Sequence, residues 1–396
     1  MAAGATSTNR SSKRPHPRGT GAPRPNAKAE KADKAAKAAN APKAEPRSER
    51  ARPEKAQPRP EKARPRSGTI ALIGRPNVGK STLLNAMLGT RLAITSHHPQ
   101  TTRDRIAGIL TEGRTQFVFL DTPGLHKPKN RLGQRMNDLA TGTAADADVV
   151  LFVVDIGPAA AAAAAAEVRP DDVEAVRAVP EGTPVILVVN KIDRIAEKQK
   201  LLEVLPTYSA LRDFAAIVPI SAKKRDGTKR LLKEIENLLP EGEHLYPEDE
   251  LSDRPVRFFV GELVREQVLM RTRQEVPHGV AVTVDAFEEG KKLTRITISV
   301  HVAKESHKGI IIGQGGKMLA AVGTAARERA ERLLGQKVHL DVRVKTTPGW
   351  FDDAARLVDL GYSNEDGKPK KKAPKAPSRT KQRGLPGDTR TNRSAE

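Results

Sequence analysis

A chain of 396 residues has room for two ordered domains, and the lack of any cysteine excludes disulfides and thiolate metal centres. The net charge of +21 sits mostly at the ends: residues 1–67 carry +12 and residues 364–396 carry +6, leaving +3 for residues 68–363. The longest apolar run, Val149 to Val154, is strand-sized, so no membrane span is expected, and residues 1–67 hold no apolar stretch of the kind a secretion signal needs.

Both ends are rich in Ala, Pro and Lys and nearly free of large apolar side chains. They bury too little surface to offset the entropy of ordering, which predicts disorder. Two readings stay open for their charge: solubility, or attraction to phosphate backbones by counterion release.

The first ordered stretch, SGTIALIG from Ser67 to Gly74, reads as a strand. It leads into GRPNVGKS, Gly74, Arg75, Pro76, Asn77, Val78, Gly79, Lys80 and Ser81, with a helix starting near Lys80. This is the spacing of a loop whose backbone N–H groups wrap a phosphate at a helix N-terminus. The lysine then neutralises the β- and γ-oxygens and the serine hydroxyl serves Mg²⁺. Next comes the polar PQTTRD, with Gln100, Thr101, Thr102, Arg103 and Asp104, loop-like and able to complete the Mg²⁺ shell through a threonine. Arg103 and Arg105 read as solvated loop charges, and no arginine finger is assigned. His97 and His98 also read as solvated, without metal-ligand spacing.

The strand QFVFLD ends at Asp121 and is followed by Thr122, Pro123, Gly124 and Leu125. Asp121 is placed to hold Mg²⁺ through water, and the Gly124 N–H to bond a γ-phosphate. A second apolar strand, VILVV, ends in Asn190, Lys191, Ile192 and Asp193. A carboxylate in the base plane accepts two hydrogen bonds from guanine N1–H and its 2-amino group, a donor pair that adenine lacks. Asp193 is the candidate for that contact, Asn190 for the N7 edge and the Lys191 stem for the ring face. IVPISA then closes on Ser221 and Ala222, a backbone contact for guanine O6.

GRPNVGKS, QTTRD, DTPGL, NKID and SAK stand in the order of the five boxes of a translation-factor-type GTPase. With ITSHHPQTTRDRIAGI and DTPGLHKPKNRLG the chain resembles the Era family of bacterial ribosome-assembly GTPases, from about Gly68 to Trp350. The resemblance implies GTP and GDP as ligands, Mg²⁺ held by Ser81, Thr102 and Asp121, and a site for K⁺ at Asn77, whose plainer reading is a turn residue. Leu125 stands where Ras-like enzymes carry the water-orienting glutamine, so slow or differently organised hydrolysis is expected. The segment from Pro158 to Val179, with its run of alanines, departs from relatives. It reads as an extended helix start or a flexible spacer.

From Arg254 the periodicity predicts a helix, then two alternating strands over VAVTVDAF and TRITISVHVA, a helix, the loop GQGG, a second helix and a final strand KVHLDVRVKT. The loop is no second phosphate cradle, because Lys317 is followed by Met318. The order α-β-β-α-α-β with GxxG between helices resembles a type II KH domain. There Gly313, Gln314, Gly315 and Gly316 would clamp a single-stranded RNA backbone, flanked by Lys308 and Lys317, with the dipoles of two helix termini directed at phosphate. Trp350 reads as an anchor for the domain's end.

The expected fold is an α/β P-loop GTPase domain with a mixed sheet over 68–245, then an α+β type II KH domain over 251–350, between basic tails at 1–67 and 364–396. The Era resemblance implies a GTP-hydrolysing switch that binds the 3′ end of 16S rRNA and assists 30S subunit assembly. It also implies a cytoplasmic place, with peripheral contact to the inner face of the membrane. A binding protein with a vestigial GTPase is disfavoured, because Lys80 and Asp193 are both present. A two-G-domain relative would need a second P-loop, and a tRNA-modifying one a C-terminal cysteine.

Overall fold

The structure is a computed structural model and describes residues 64–157, 168–196, 199–272, 276 and 279–362. The expected disorder of the ends falls almost wholly outside those residues, as does the alanine run at 158–167.

Strands β1 (Arg66–Ile73), β3 (Thr115–Asp121), β4 (Val149–Val154) and β5 (Val185–Val189) are nearly continuous apolar runs. Such runs suit the centre of a parallel sheet, where both faces are covered. The six-stranded sheet has the order β2-β3-β1-β4-β5-β6, with β2 (Ile106–Glu112) antiparallel at one edge and β6 (Ala216–Pro219) at the other. One face packs on α1 (Lys80–Leu88) and α5 (Thr228–Leu238) through Leu83, Leu84, Leu231 and Ile235. The other packs on α2 (Arg131–Asp146), α3 (Pro170–Arg177) and α4 (Lys200–Ser209) through Ala140, Val176 and Val204. Helix α3 begins at Pro170, whose fixed φ and missing N–H suit the first helical position.

Strand β1 starts at Arg66, one residue before the expected start at Ser67. The reason is a cap: the Arg66 guanidinium donates to Glu236 O, Asn237 O and Leu239 O at the end of α5, satisfying carbonyls that a helix end leaves open.

The second sheet has the order β7-β8-β9, from β7 (Val280–Glu289), β8 (Leu293–Val302) and β9 (Lys337–Thr346). Ile296, Ile298, Val300 and Val302 share one face of β8 by the period of two, and all are buried. They meet Val260, Val264 and Val268 of α6 (Val256–Arg271), Ile311 of α7 (Glu305–Ile312), and Val322, Ala326 and Ala330 of α8 (Lys317–Leu334). The helix–strand order matches the sequence reading. Among the described residues, no helix is long and apolar enough to cross a membrane.

Both sheets belong to one compact unit. The chain stays ordered past residue 350, through α9 (Ala354–Asp359), whose N-cap Asp353 accepts from Ala355 N and Arg356 N. Leu357, Leu360 and Tyr362 join Trp350 in a cluster with Leu132 and Met136 of α2. This cluster seats the second sheet on the first body. Trp350 is fully buried, stacks on Tyr362 at 5.7 Å and donates from its indole N–H to Gly279 O. Trp350→Ala is expected to cost about 3–5 kcal/mol by cavity formation and the lost hydrogen bond, read as a lower denaturant midpoint.

Candidate functional site

The loop between β1 and α1 closes as the sequence predicts. Gly79 enters α1 with φ 103°, and a Cβ on Gly74 would sit 2.2 Å from Val153 O, so only glycine fits there. Lys80 Nζ donates to Gly74 O and Arg75 O, both at 3.1 Å. Burial pulls its pKa down to about 8, opposed in part by Asp121. Arg75 is held at the side of the loop: its Nε donates to the buried Asp172 of α3 at 2.7 Å.

Three oxygens meet beside Lys80. Ser81 Oγ donates to Asp121 Oδ2 at 2.7 Å, Thr102 Oγ1 does so at 3.2 Å, and the two hydroxyls lie 2.9 Å apart. Asp121 Oδ1 is buried without a hydrogen-bond partner among the described residues. Burial raises the Asp121 pKa, against the pull of Lys80. A buried carboxylate with an orphaned oxygen and two hydroxyls around it suits a hard divalent cation, which oxygen ligands hold best.

On the other side, Asn190 ties three loops together. Its Nδ2 donates to Val78 O at 2.8 Å, and its Oδ1 accepts from Lys191 N at 2.8 Å and Ala222 N at 3.0 Å. The N7 contact expected of Asn190 is left to the second Nδ2 hydrogen. Lys191 Nζ donates to Asn77 O at 2.6 Å and to Asp155 at 2.7 Å, and Ile192 N donates to Ile220 O. Asp193 accepts from Ser221 Oγ at 2.6 Å, which holds its carboxyl below the usual range. The carboxylate is thus aimed and charged.

Pro123, Gly124 and Leu125 lie buried against the P-loop. A Cβ on Gly124 would be 2.5 Å from Pro76 N, so the two loops touch through a missing side chain. Thr122 Oγ1 donates to Leu72 O, and Leu125 N donates to Gly74 O. Asn77 Nδ2 donates to the carbonyl of His97, which is itself exposed.

The segment Gln100–Arg105 corrects the sequence reading. Arg103 and Arg105 are not solvated: they are 2% and 8% exposed. Arg103 donates to Val280 O on β7 and lies 5.6 Å from the Trp350 ring centroid. Arg105 pairs with Asp253 at 3.0 Å, and Arg135 pairs with Asp104 at 2.9 Å. Sequence reasoning missed the partners on α6. Arg265 donates to Thr101 O, and Glu266 accepts from Thr95 N, Arg91 and Arg329. Arg265, Glu266 and Gln267 are all buried, and three consecutive polar residues, two of them charged, inside an apolar helix are the signal available.

The second glycine loop stands apart. Gly313, Gly315 and Gly316 take φ 70°, 58° and 77° between α7 and α8, with Gln314, Gly315 and Lys317 exposed. The start of α8 offers N–H groups there. Helix α7 ends at the loop, with Gly313 N–H spent on Gly309 O, so one helix N-terminus opens on the loop and not the two dipoles expected. Lys308 pairs with Glu305 at 3.1 Å.

Residues 69–191 match the family described as 50S ribosome-binding GTPase, and residues 275–351 match the KH domain. The chain is 44% identical over 299 residues to GTPase Era of Ruminiclostridium cellulolyticum, covering 75% of this chain and 97% of that one. GTPase Era of Syntrophus aciditrophicus is 43% identical over 301 residues, covering 75% and 95%. A crystal structure of Era in complex with MgGDPNP and nucleotides 1506–1542 of 16S ribosomal RNA superposes with a TM-score of 0.71 at 38% identity, covering 75% and 99%. An Aquifex aeolicus Era variant bound to GDP and AlF4⁻ gives 0.70 at the same identity and coverage.

Asn190→Ala removes three hydrogen bonds that join the nucleotide-facing loops. The expected loss is about 3 kcal/mol of unfolding free energy, at roughly 1 kcal/mol each, read from denaturant midpoints.

Proposed function

This chain belongs to the Era family of GTPases, and from that premise we propose that it is a GTP-controlled switch that binds the 3′ end of 16S rRNA and assists maturation of the 30S subunit. One observation carries this reading: residues 100–104 serve two neighbours. Thr102 meets Ser81 and Asp121, while Thr101 O and Arg103 are held by Arg265, Val280 and Trp350 of the KH side. A change at the phosphates is a change at the KH seat. A relative in the same family was crystallised with 16S rRNA nucleotides on it, which supports the RNA assignment.

In this reading the backbone N–H groups of Asn77 to Ser81 wrap the phosphates, and the triphosphate restores full charge to the buried Lys80. Asp193, aimed by Ser221, reads guanine; the Ala222 amide faces O6 and the Lys191 stem covers the ring. Ser81, Thr102 and Asp121 would hold Mg²⁺, which supplies charge neutralisation at the β- and γ-oxygens. The Asn77 Oδ1 is the side-chain acceptor left for a potassium ion. Leu125 cannot orient water, so hydrolysis is slow without help. When hydrolysis removes the γ-phosphate, Thr102 and Gly124 lose their reason to stay, and the seat of the KH domain loosens. Gly313 to Gly316 receive the RNA backbone, with Lys308 and Lys317 adding charge. The protein works in the cytoplasm, and its basic ends give it a weak attraction to the anionic inner membrane face.

The test is binding of an oligonucleotide from the 3′ end of 16S rRNA at fixed salt, with and without residues 1–66 and 364–396. Binding should be tighter with a GTP analogue than with GDP and should survive removal of the ends. It should weaken more than about tenfold in Gly315→Asp, because Asp tolerates the left-handed φ there and adds charge against phosphate. Binding that ignores the nucleotide and disappears with the ends overturns the switch. A second check is base choice. Asp193→Asn should lower GTP affinity by roughly a hundredfold and favour xanthosine triphosphate, whose 2-oxo group accepts the new amide.

A further inference from the structure

His126 follows Leu125, and the function proposed above gives it no part. Its setting is unusually defined. Nδ1 lies 2.9 Å from Gly124 O, and Nε2 lies 2.7 Å from Gln100 Nε2. A carbonyl oxygen only accepts, so Nδ1 carries the proton. In the neutral ring Nε2 is then a bare acceptor, which the Gln100 amide fills as donor. The two contacts fix one tautomer between them.

The ring is also held ready. The Asn137 carboxamide of α2 grips both backbone groups of His126, donating to its carbonyl at 2.6 Å and accepting from its N–H at 3.4 Å. Gln100 sits at φ 60°, a left-handed backbone that a glutamine rarely adopts. Strain of this kind persists where surrounding contacts fix it. Both ends of the bridge matter to the phosphates. Gly124 abuts Pro76 of the P-loop, and Gln100 lies two residues before Thr102.

We propose that His126 is a positioning residue: its imidazole latches Gln100 to the Gly124 peptide, and the closed latch selects nucleotides that carry a γ-phosphate over GDP. The ring joins the segment that bears Thr102 to the peptide that faces the P-loop, so each is set only when the other is. Leu125 cannot make this link, having no polar atom in its side chain. The inference rests on the nucleotide-site reading above.

The experiment measures the affinity of the full chain for mant-GDP and mant-GMPPNP with Mg²⁺, in wild type, His126→Ala, Gln100→Ala, the double variant and His126→Asn. In His126→Ala the Kd for the GTP analogue should rise about tenfold, the scale of a lost hydrogen-bonded bridge, while the Kd for GDP stays within about twofold. The double variant should be no weaker than His126→Ala, because the two residues act as one unit. Asn keeps a donor at the Nδ1 position, so His126→Asn should recover part of the loss and become indifferent to Gln100→Ala. Additive effects of the two substitutions overturn the latch. So does an equal loss for both nucleotides, which would mark a merely structural residue, or no loss for either. Wild type that binds neither nucleotide overturns the site reading and the latch with it; variants that keep GDP binding separate the two failures.

Discussion

Two arginines in a segment without regular structure set the problem that the rest of the molecule solves. Arg103 and Arg105 are buried, and a buried guanidinium is costly unless its donors are met. Their partners come from residues more than a hundred positions later: Val280 O and the Trp350 face for Arg103, Asp253 for Arg105. Asp104 is covered likewise, its pKa raised by burial and drawn back by Arg135. No strand ladder holds Gln100 to Arg105. His126, Ser81, Asp121 and Arg135 hold it on one side and the KH seat on the other, and lifting that seat would bare charges that have settled on neighbours within the protein. Removing one partner from a buried pair of this sort costs about 3–5 kcal/mol. Residues 100–105 and the domain seat are therefore one cooperative unit.

The same unit explains why the seat is built from aromatic and cationic groups. Arg103 lies over Trp350, Trp350 stacks on Tyr362, and Arg135 lies over Tyr362 at 5.5 Å. Arg135 also donates to Arg103 O. A seat of aliphatic side chains alone would be indifferent to where the arginines sit. Cation–π contacts depend on the position of a charge over a ring, so this one responds when the segment moves.

Much of this was legible in the sequence. The phosphate and base loops are read because backbone geometry demands glycines and short polar residues at fixed spacings, and those survive translation into a string of letters. The KH order was read from strand alternation and helix periods. The interface was not, because a loop arginine looks the same whether water or a distant tryptophan covers it. Arg265 to Gln267 carried a signal, three polar residues inside an apolar helix, but nothing in the string says which surface they meet. Helix α9 was passed over because six residues give too little periodicity, although the Asp353 cap and the spacing of Leu357 and Leu360 were there to see. His126 could not have been placed at all. Its role depends on a glutamine 26 positions earlier with a left-handed backbone, and on the tautomer that two neighbours impose together.

The stretch that precedes residues 100–105 and the helix that follows the glycine loop meet on a single carboxylate. Glu266 accepts from Thr95 N and Arg91 on one side and from Arg329 of α8 on the other. Helix α8 begins at that loop, with Arg329 some 18 Å along its axis at 1.5 Å per residue. The loop itself is set locally: Gly313 N–H bonds Gly309 O, Gly316 N–H bonds Gly313 O, and Gly313 packs so close to Met318 that a Cβ would be 2.5 Å away. Those contacts do not reach the first sheet. In the proposed switch, a shift of residues 95–104 would act on the α8 rod, and so on the direction in which the loop faces, more readily than on the shape of the loop. By linkage, whatever binding the loop gains from one arrangement of the segment, the segment gains from an occupied loop.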